Sequence, residues 1–178
     1  IFYRTNQANK TDFHVYEITI ATGKERPVYV SEGYNGPNII SDDGKKLVVY
    51  FAPSNVDNDL FLVDVADGTA ELLTPHEGNA SFIAVDFSAD GKSLYILSNA
   101  NEDGITRRAT LDLASKKIDF LESGTVWETE EFVISDDKTK MAWVINEEGY
   151  AKLKLWDIKA SKDLPLPQLE GIIGGVSF

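Results

Sequence analysis

Short apolar runs separated by polar turns repeat along the whole chain, and their spacing is the strongest signal in the sequence. Phe82-Ile83-Ala84-Val85-Asp86-Phe87 and Leu94-Tyr95-Ile96-Leu97 read as strands. Ser88-Ala89-Asp90-Gly91-Lys92 between them reads as a tight Asp-Gly turn, because Gly takes positive φ without a Cβ clash. Ser41-Asp42-Asp43-Gly44-Lys45-Lys46-Leu47 lies 47 positions earlier, and Ser135-Asp136-Asp137-Lys138-Thr139-Lys140-Met141 lies 47 later. A second landmark gives nearly the same period. Ile18-Thr19-Ile20, Val63-Asp64-Val65, Leu111-Asp112-Leu113 and Trp156-Asp157-Ile158 have centres 45, 48 and 45 apart.

Within each period the pattern predicts four short strands. The second copy, for example, holds Leu47 to Phe51, Asp59 to Val65, Glu71 to Leu73 and Phe82 to Phe87. The third runs Ser93 to Leu97, Arg107 to Leu113 and Ile118 to Leu121, and the fourth Lys140 to Ile145, Leu153 to Ile158 and Leu164 to Leu166. No stretch of helical length sustains a 3.6-residue apolar period. A sandwich of hairpins does not require one fixed period. An all-β chain with this period predicts a β-propeller: four tandem blades of about 46 residues, each a four-stranded antiparallel sheet. The repeat units are about 1–46, 47–93, 94–140 and 141–178. The strand before each Asp-Gly turn would be innermost, and Pro27 and Pro165 suit an outer edge. Ile1 and Phe178 both fall inside apolar runs, so the chain is expected to be a segment of a larger propeller. Exposed apolar faces on its end blades would then favour self-association.

Composition narrows the partners. With 43% hydrophobic residues in 178, the chain can build a real core. A formal charge of −12 argues against nucleic acid and against an anionic membrane surface as partners. The absence of Cys removes disulfides, thiolate catalysis and Cys-bound metals, but leaves cytoplasm and periplasm equally open.

The later repeats resemble a known family. Trp127-Glu128-Thr129-Glu130-Glu131-Phe132-Val133-Ile134-Ser135-Asp136-Asp137 is similar to a propeller segment of the prolyl oligopeptidase family, as is Ala142-Trp143-Val144-Ile145-Asn146-Glu147-Glu148-Gly149-Tyr150-Ala151-Lys152-Leu153. The run from Leu164 to Phe178 resembles the strand and loop that follow there. The resemblance implies the propeller of a serine peptidase that gates short peptides toward an α/β-hydrolase domain of the same parent chain. That domain is absent from this sequence, so no catalytic residue is carried over. The alternative is a free-standing interaction propeller of the WD-repeat or TolB type. Trp156-Asp157 matches the WD dipeptide, but Val63-Asp64 and Leu111-Asp112 hold the equivalent places.

Candidate chemistry is sparse, and no catalytic, cofactor or metal residue is assigned. Gly175-Val176-Ser177-Phe178 begins like a nucleophile elbow, but Ser177 falls in register with an innermost strand. His14 and His76 are the only histidines, and both read as ordinary surface residues, His76 in an exposed loop. Asp57-Asn58-Asp59 opens like a calcium loop, yet Leu62 and Gly68 stand where that loop needs Gly and Glu. Asp42-Asp43-Gly44 and Asp90-Gly91 read as turn formers. Glu128, Glu130 and Glu131 read as a solvated loop before a strand, Trp127, Trp143 and Trp156 as packing residues. Arg107 and Arg108 should point to opposite faces of one strand, with a salt bridge as the plainest role and the channel as the other. Asn9-Lys10-Thr11 and Asn79-Ala80-Ser81 match the glycosylation sequon.

Overall fold

A computed structural model of the chain describes residues 1–121, 126–167, 169 and 171–178. The regular elements among them are all strands. In the first part they are β1 (Phe2–Thr5), β2 (His14–Thr19), β3 (Lys24–Tyr29), β4 (Asn35–Ile40), β5 (Lys46–Ser54), β6 (Asp57–Asp64) and β7 (Ala70–Leu72). Then come β8 (Phe82–Phe87), β9 (Ser93–Ser98), β10 (Arg107–Asp112), β11 (Ile118–Phe120), β12 (Thr129–Ile134), β13 (Lys140–Glu147), β14 (Tyr150–Asp157) and β15 (Lys162–Asp163). Three sheets repeat one order: β4-β5-β6-β7, β8-β9-β10-β11 and β12-β13-β14-β15. These antiparallel meanders are propeller blades, as the period predicts. The remaining sheet, β1-β2-β3, has three strands where four were expected. Ile1 aligns with Leu47, so β1 holds the place of β5, and this sheet has no counterpart of β4 among the described residues.

The turns that set the period share one hydrogen-bond scheme. They span residues 41–45, 88–92 and 135–139, and the second is the stretch Ser88 to Lys92 that the sequence predicts. A serine hydroxyl donates to the carboxylate two residues on: Ser41 to Asp43 at 2.8 Å, Ser88 to Asp90 at 2.8 Å, Ser135 to Asp137 at 2.7 Å. The same serine oxygens accept from the amides of Lys46, Ser93 and Lys140. Only one residue per turn has positive φ: Gly44, Gly91 and, in the third, Lys138 at 57°. The second landmark is tied directly to these turns. The amides of Val65, Leu113 and Ile158 donate to the carbonyls of Lys45, Lys92 and Thr139, each at 2.9 Å. The two landmarks therefore keep step because each sheet bonds one to the other.

β4 takes in Gly36 and Pro37 from its start at Asn35. Gly36 fits there because the Tyr50 ring lies over it, 2.6 Å from where a Cβ would stand. The last outer strand is Lys162–Asp163 rather than Leu164 to Leu166, and Pro165 follows it. Leu164 adds one more bond, to the Leu155 carbonyl, before Pro165 removes the next donor.

The chain divides into two compact units, Ile1–Ala84 and Val85–Phe178. In the first, Val15 and Val28 meet Leu47, Val49 and Val63, so the two sheets share one apolar interior. Each such side chain contributes about 1.5–3 kcal/mol on burial. Packing is close: a Cβ on Gly68 would stand 2.7 Å from the Val28 carbonyl oxygen. In the second unit Leu97, Phe132, Met141 and Trp143 form the interior, with Val85, Tyr95 and Trp156 against it.

Candidate functional site

The largest concavity among the described residues lies in the first unit. It has a volume of about 660 Å³ and is walled by Tyr34, Asn38, Tyr50, residues 52–55, Asp57, Asn58, Ser81, Phe82 and Ile83. Two β-bulges shape it. The β4–β5 register shifts between Pro37 and Ile39, which displaces Asn38 from the ladder. The β5–β6 register shifts between Phe51 and Ser54, which displaces Ala52 and Pro53. Bulges re-aim side chains, and here both open onto one space. The carboxamides of Asn38 and Asn55 make no hydrogen bond to a described residue, so their donors and acceptors face the cavity or solvent. Ile83 is 51% exposed on the opposite wall, with Tyr34 at 36%.

The aromatic side is braced from beneath. Arg4 lies over the Tyr34 ring, 4.6 Å from its centre, and its Nη1 donates to the Tyr50 hydroxyl. Phe13 meets Tyr34 edge-on at 5.1 Å. Burial raises the Tyr50 pKa, the Tyr34 hydroxyl adds to that, and Arg4 opposes it. The buried Asn35 fixes the approach, its amide donating to the Phe13 carbonyl at 3.0 Å and the Glu32 carbonyl at 3.1 Å.

The other wall is held by a histidine that the sequence placed on the surface. His76 Nε2 lies 2.9 Å from Asp57 Oδ1, and Nδ1 lies 2.8 Å from the Thr74 carbonyl and 3.4 Å from Asp59 Oδ1. Its ring packs on Phe82 at 5.1 Å, and its side chain is only 15% exposed. Burial disfavours its charge, but the Thr74 carbonyl, Asp57 and Asp59 outweigh it and raise the pKa above the ordinary 6.5. The His76 hydrogen bond, with the Ala80 amide, holds Asp57 below the usual carboxylate range. Asn58 completes the clamp. Its side chain donates to the Phe82 carbonyl and accepts the Phe82 amide, both at 2.8 Å. The Asp57-Asn58-Asp59 run is thus a fastening for the next loop, and its first and third members face His76.

Other candidates resolve as follows. His14 is buried in β2, not on the surface, and so is Val15 on the opposite face, so both faces of the strand are covered at its start. Arg107 forms a bidentate pair with Asp103 at 2.8 and 2.6 Å, as the salt-bridge reading expects. Arg108 is buried on the other side, stacked 3.4 Å from the Trp143 ring centre, with Nη1 donating to Met141 Sδ at 3.0 Å. It packs in the interior of its unit. Trp143 and Trp156 pack there too, while Trp127 stands outside that cluster, half-buried. Glu130 and Glu131 lie within β12 and not in a loop. Glu131 accepts the amides of Gly175 and Val176, each at 2.7 Å, and the two bonds hold its pKa below the usual value. Ser177 next to them is exposed and lies in no strand, so the innermost-strand reading does not hold for it. Asn9 and Asn79 of the sequons are both exposed.

Comparison with known proteins supports the propeller and narrows its setting little. No family model matches the chain. Over 85 residues it is 31% identical to the Tol-Pal system protein TolB of Wolinella succinogenes, covering 48% of this chain and 20% of that protein. Among solved structures it is similar to TolB from Acinetobacter baumannii, with TM-score 0.68, 20% identity, and coverage of 91% of this chain and 39% of that one. It is also similar to prolyl oligopeptidase B from Galerina marginata, solved with a 35mer substrate bound. There the TM-score is 0.73 and identity 15%, over 92% of this chain and 25% of that one. The chain spans well under half the length of each. The likeness establishes the β-propeller fold.

Proposed function

We propose that this segment is a non-catalytic binding module whose cavity takes an extended, uncharged stretch of polypeptide. The observation that carries the reading is the pair of uncommitted carboxamides, Asn38 at the β4 bulge and Asn55 in the β5–β6 turn, beside Tyr34 and Ile83. A carboxamide offers one acceptor and two donors, which suits a peptide unit. Ile83 and Tyr34 would take the alternate apolar side chains. Two settings suit such a module. The 31% identity with a Tol-Pal system protein favours a TolB-like interaction propeller. The structural likeness to an oligopeptidase bound to a 35mer also suits a propeller that admits short peptides to an α/β-hydrolase domain of the same parent chain. Reading the gene beyond Phe178 separates them, because only the second requires Gly-x-Ser-x-Gly followed by Asp and His.

Binding is tested with fluorescent, uncharged extended peptides and the Asn38→Ala/Asn55→Ala double variant. At about 1 kcal/mol per lost hydrogen bond, affinity should fall about 30-fold. Equal affinity in both proteins, or capture of oligosaccharides instead of peptides, would overturn the reading.

A further inference from the structure

The loop 73–81, between β7 and β8, forms one wall of the cavity through Ser81 and leads into Phe82 and Ile83. It is tied to β6 at three levels. At its start Leu73 donates to the Leu60 carbonyl at 2.8 Å, and Thr74 Oγ1 accepts the Leu60 amide at 2.9 Å. At its end the Asn58 amide donates to the Ala80 carbonyl at 3.0 Å, and Asp57 Oδ1 accepts the Ala80 amide at 3.1 Å. His76 joins the two ends from the middle.

The chemistry of that junction fixes the protonation state. The Thr74 carbonyl can only accept, and so can an ionised Asp57. Both ring nitrogens face these acceptors, so both must carry hydrogen, which is the imidazolium form. A neutral ring would turn a lone pair toward one of the two oxygens. The charged groups facing the ring are Asp57 and Asp59, both from β6. From β8 it meets only the uncharged Phe82 ring, and Glu77, next to it in the loop, is exposed.

Building on the peptide-binding reading, we infer that His76 is a pH-operated latch: protonated, it pins the 73–81 loop and the cavity wall, and on losing its proton it releases them. The direction follows from linkage. A histidine with a raised folded pKa gives its full stabilisation below about pH 6.5, and loses it as pH rises through the folded value. The cavity should therefore be ordered in mildly acidic solution and loosened in alkaline solution.

The test needs no ligand for its first arm. The His76 ring proton is followed by NMR against pH, together with amide-exchange protection at Ala80, Phe82 and their neighbours. The midpoint should lie above 6.5, and protection should fall about tenfold for each unit by which it does so. The His76→Gln variant, which cannot donate at both positions, should show protection that is low and flat with pH. A midpoint at or below 6.5 with flat wild-type protection overturns the latch, as does an unchanged pH response in His76→Gln. Peptide titration at pH 6 is the second arm. Absence of binding there, with a loop that still responds to pH, overturns the peptide reading and leaves the latch standing.

Discussion

The Ser135 hydroxyl donates to Asp137 at 2.7 Å, and its oxygen accepts the Lys140 amide at 2.9 Å, so one side chain closes the turn from both ends. The same pair recurs as Ser41–Asp43 and Ser88–Asp90. It depends on an ionised carboxylate.

Acid should therefore open these turns. Serine hydrogen bonds, followed by backbone amides and lysine neighbours, hold Asp43 down to about 2, and the Ser135 and Thr139 bonds do the same for Asp137, also to about 2. Asp90 shifts in the same direction. Lowered carboxylate pKa values contribute stability above the unfolded value of 3.8, and that stability is lost as pH falls toward 2. The Ser41→Ala/Ser88→Ala/Ser135→Ala protein should have a lower urea midpoint than wild type at pH 6. The difference should shrink steadily below pH 4. A gap that is constant with pH would show that the carboxylates play no part.

Three glycines should rank in order of what surrounds them. Gly44→Ala meets open space and carries only positive-φ strain, about 1 kcal/mol. Gly36→Ala drives a methyl into the Tyr50 ring, at about 1–3 kcal/mol of overpacking. Gly68→Ala combines positive φ with a backbone oxygen that cannot swing away, so its cost should exceed both. Urea midpoints decide this, and Gly44→Ala as the most damaging of the three would contradict it.

Replacing Arg108 by Lys keeps the charge and loses the planar stack on Trp143. A desolvated cation–aromatic contact of this kind contributes about 2 kcal/mol, and a lysine ammonium recovers part of it, so Arg108→Lys should lower stability by less than that amount. Tryptophan emission should also change before unfolding, since the Trp143 face becomes uncovered. Unaltered stability and emission would refute an interior role for this arginine.

Much of this architecture was legible in the chain because propeller blades are local. Strands that pair are neighbours in sequence, and the Ser41, Ser88 and Ser135 turns join them directly. What stayed hidden is contact across longer gaps. His76 looked like a surface loop residue because its partner Asp57 is 19 positions away and meets it only through the β6–β7 register. Arg108 reaches Trp143 from a neighbouring sheet, so alternation in β10 gave its face but not its partner. Glu131 lies in a strand whose polar start resembles a loop, and its two amide donors sit in a segment without regular structure. The Asn38 and Pro53 bulges leave little trace, because a displaced residue interrupts apolar alternation no more than a turn does.

Lys138 departs from the repeat in a way that matters for assembly. It takes the left-handed place of Gly44 and Gly91, and its ammonium pairs with Asp86 of β8, with both side chains largely buried. The counterparts of Asp86 are Ile39 and Val133, and the counterparts of Lys138 are glycines, so no other combination of turn and strand can form this pair. Near-identical repeats risk folding against the wrong neighbour. A single lysine thus acts as an address label, telling the last sheet which strand it belongs beside.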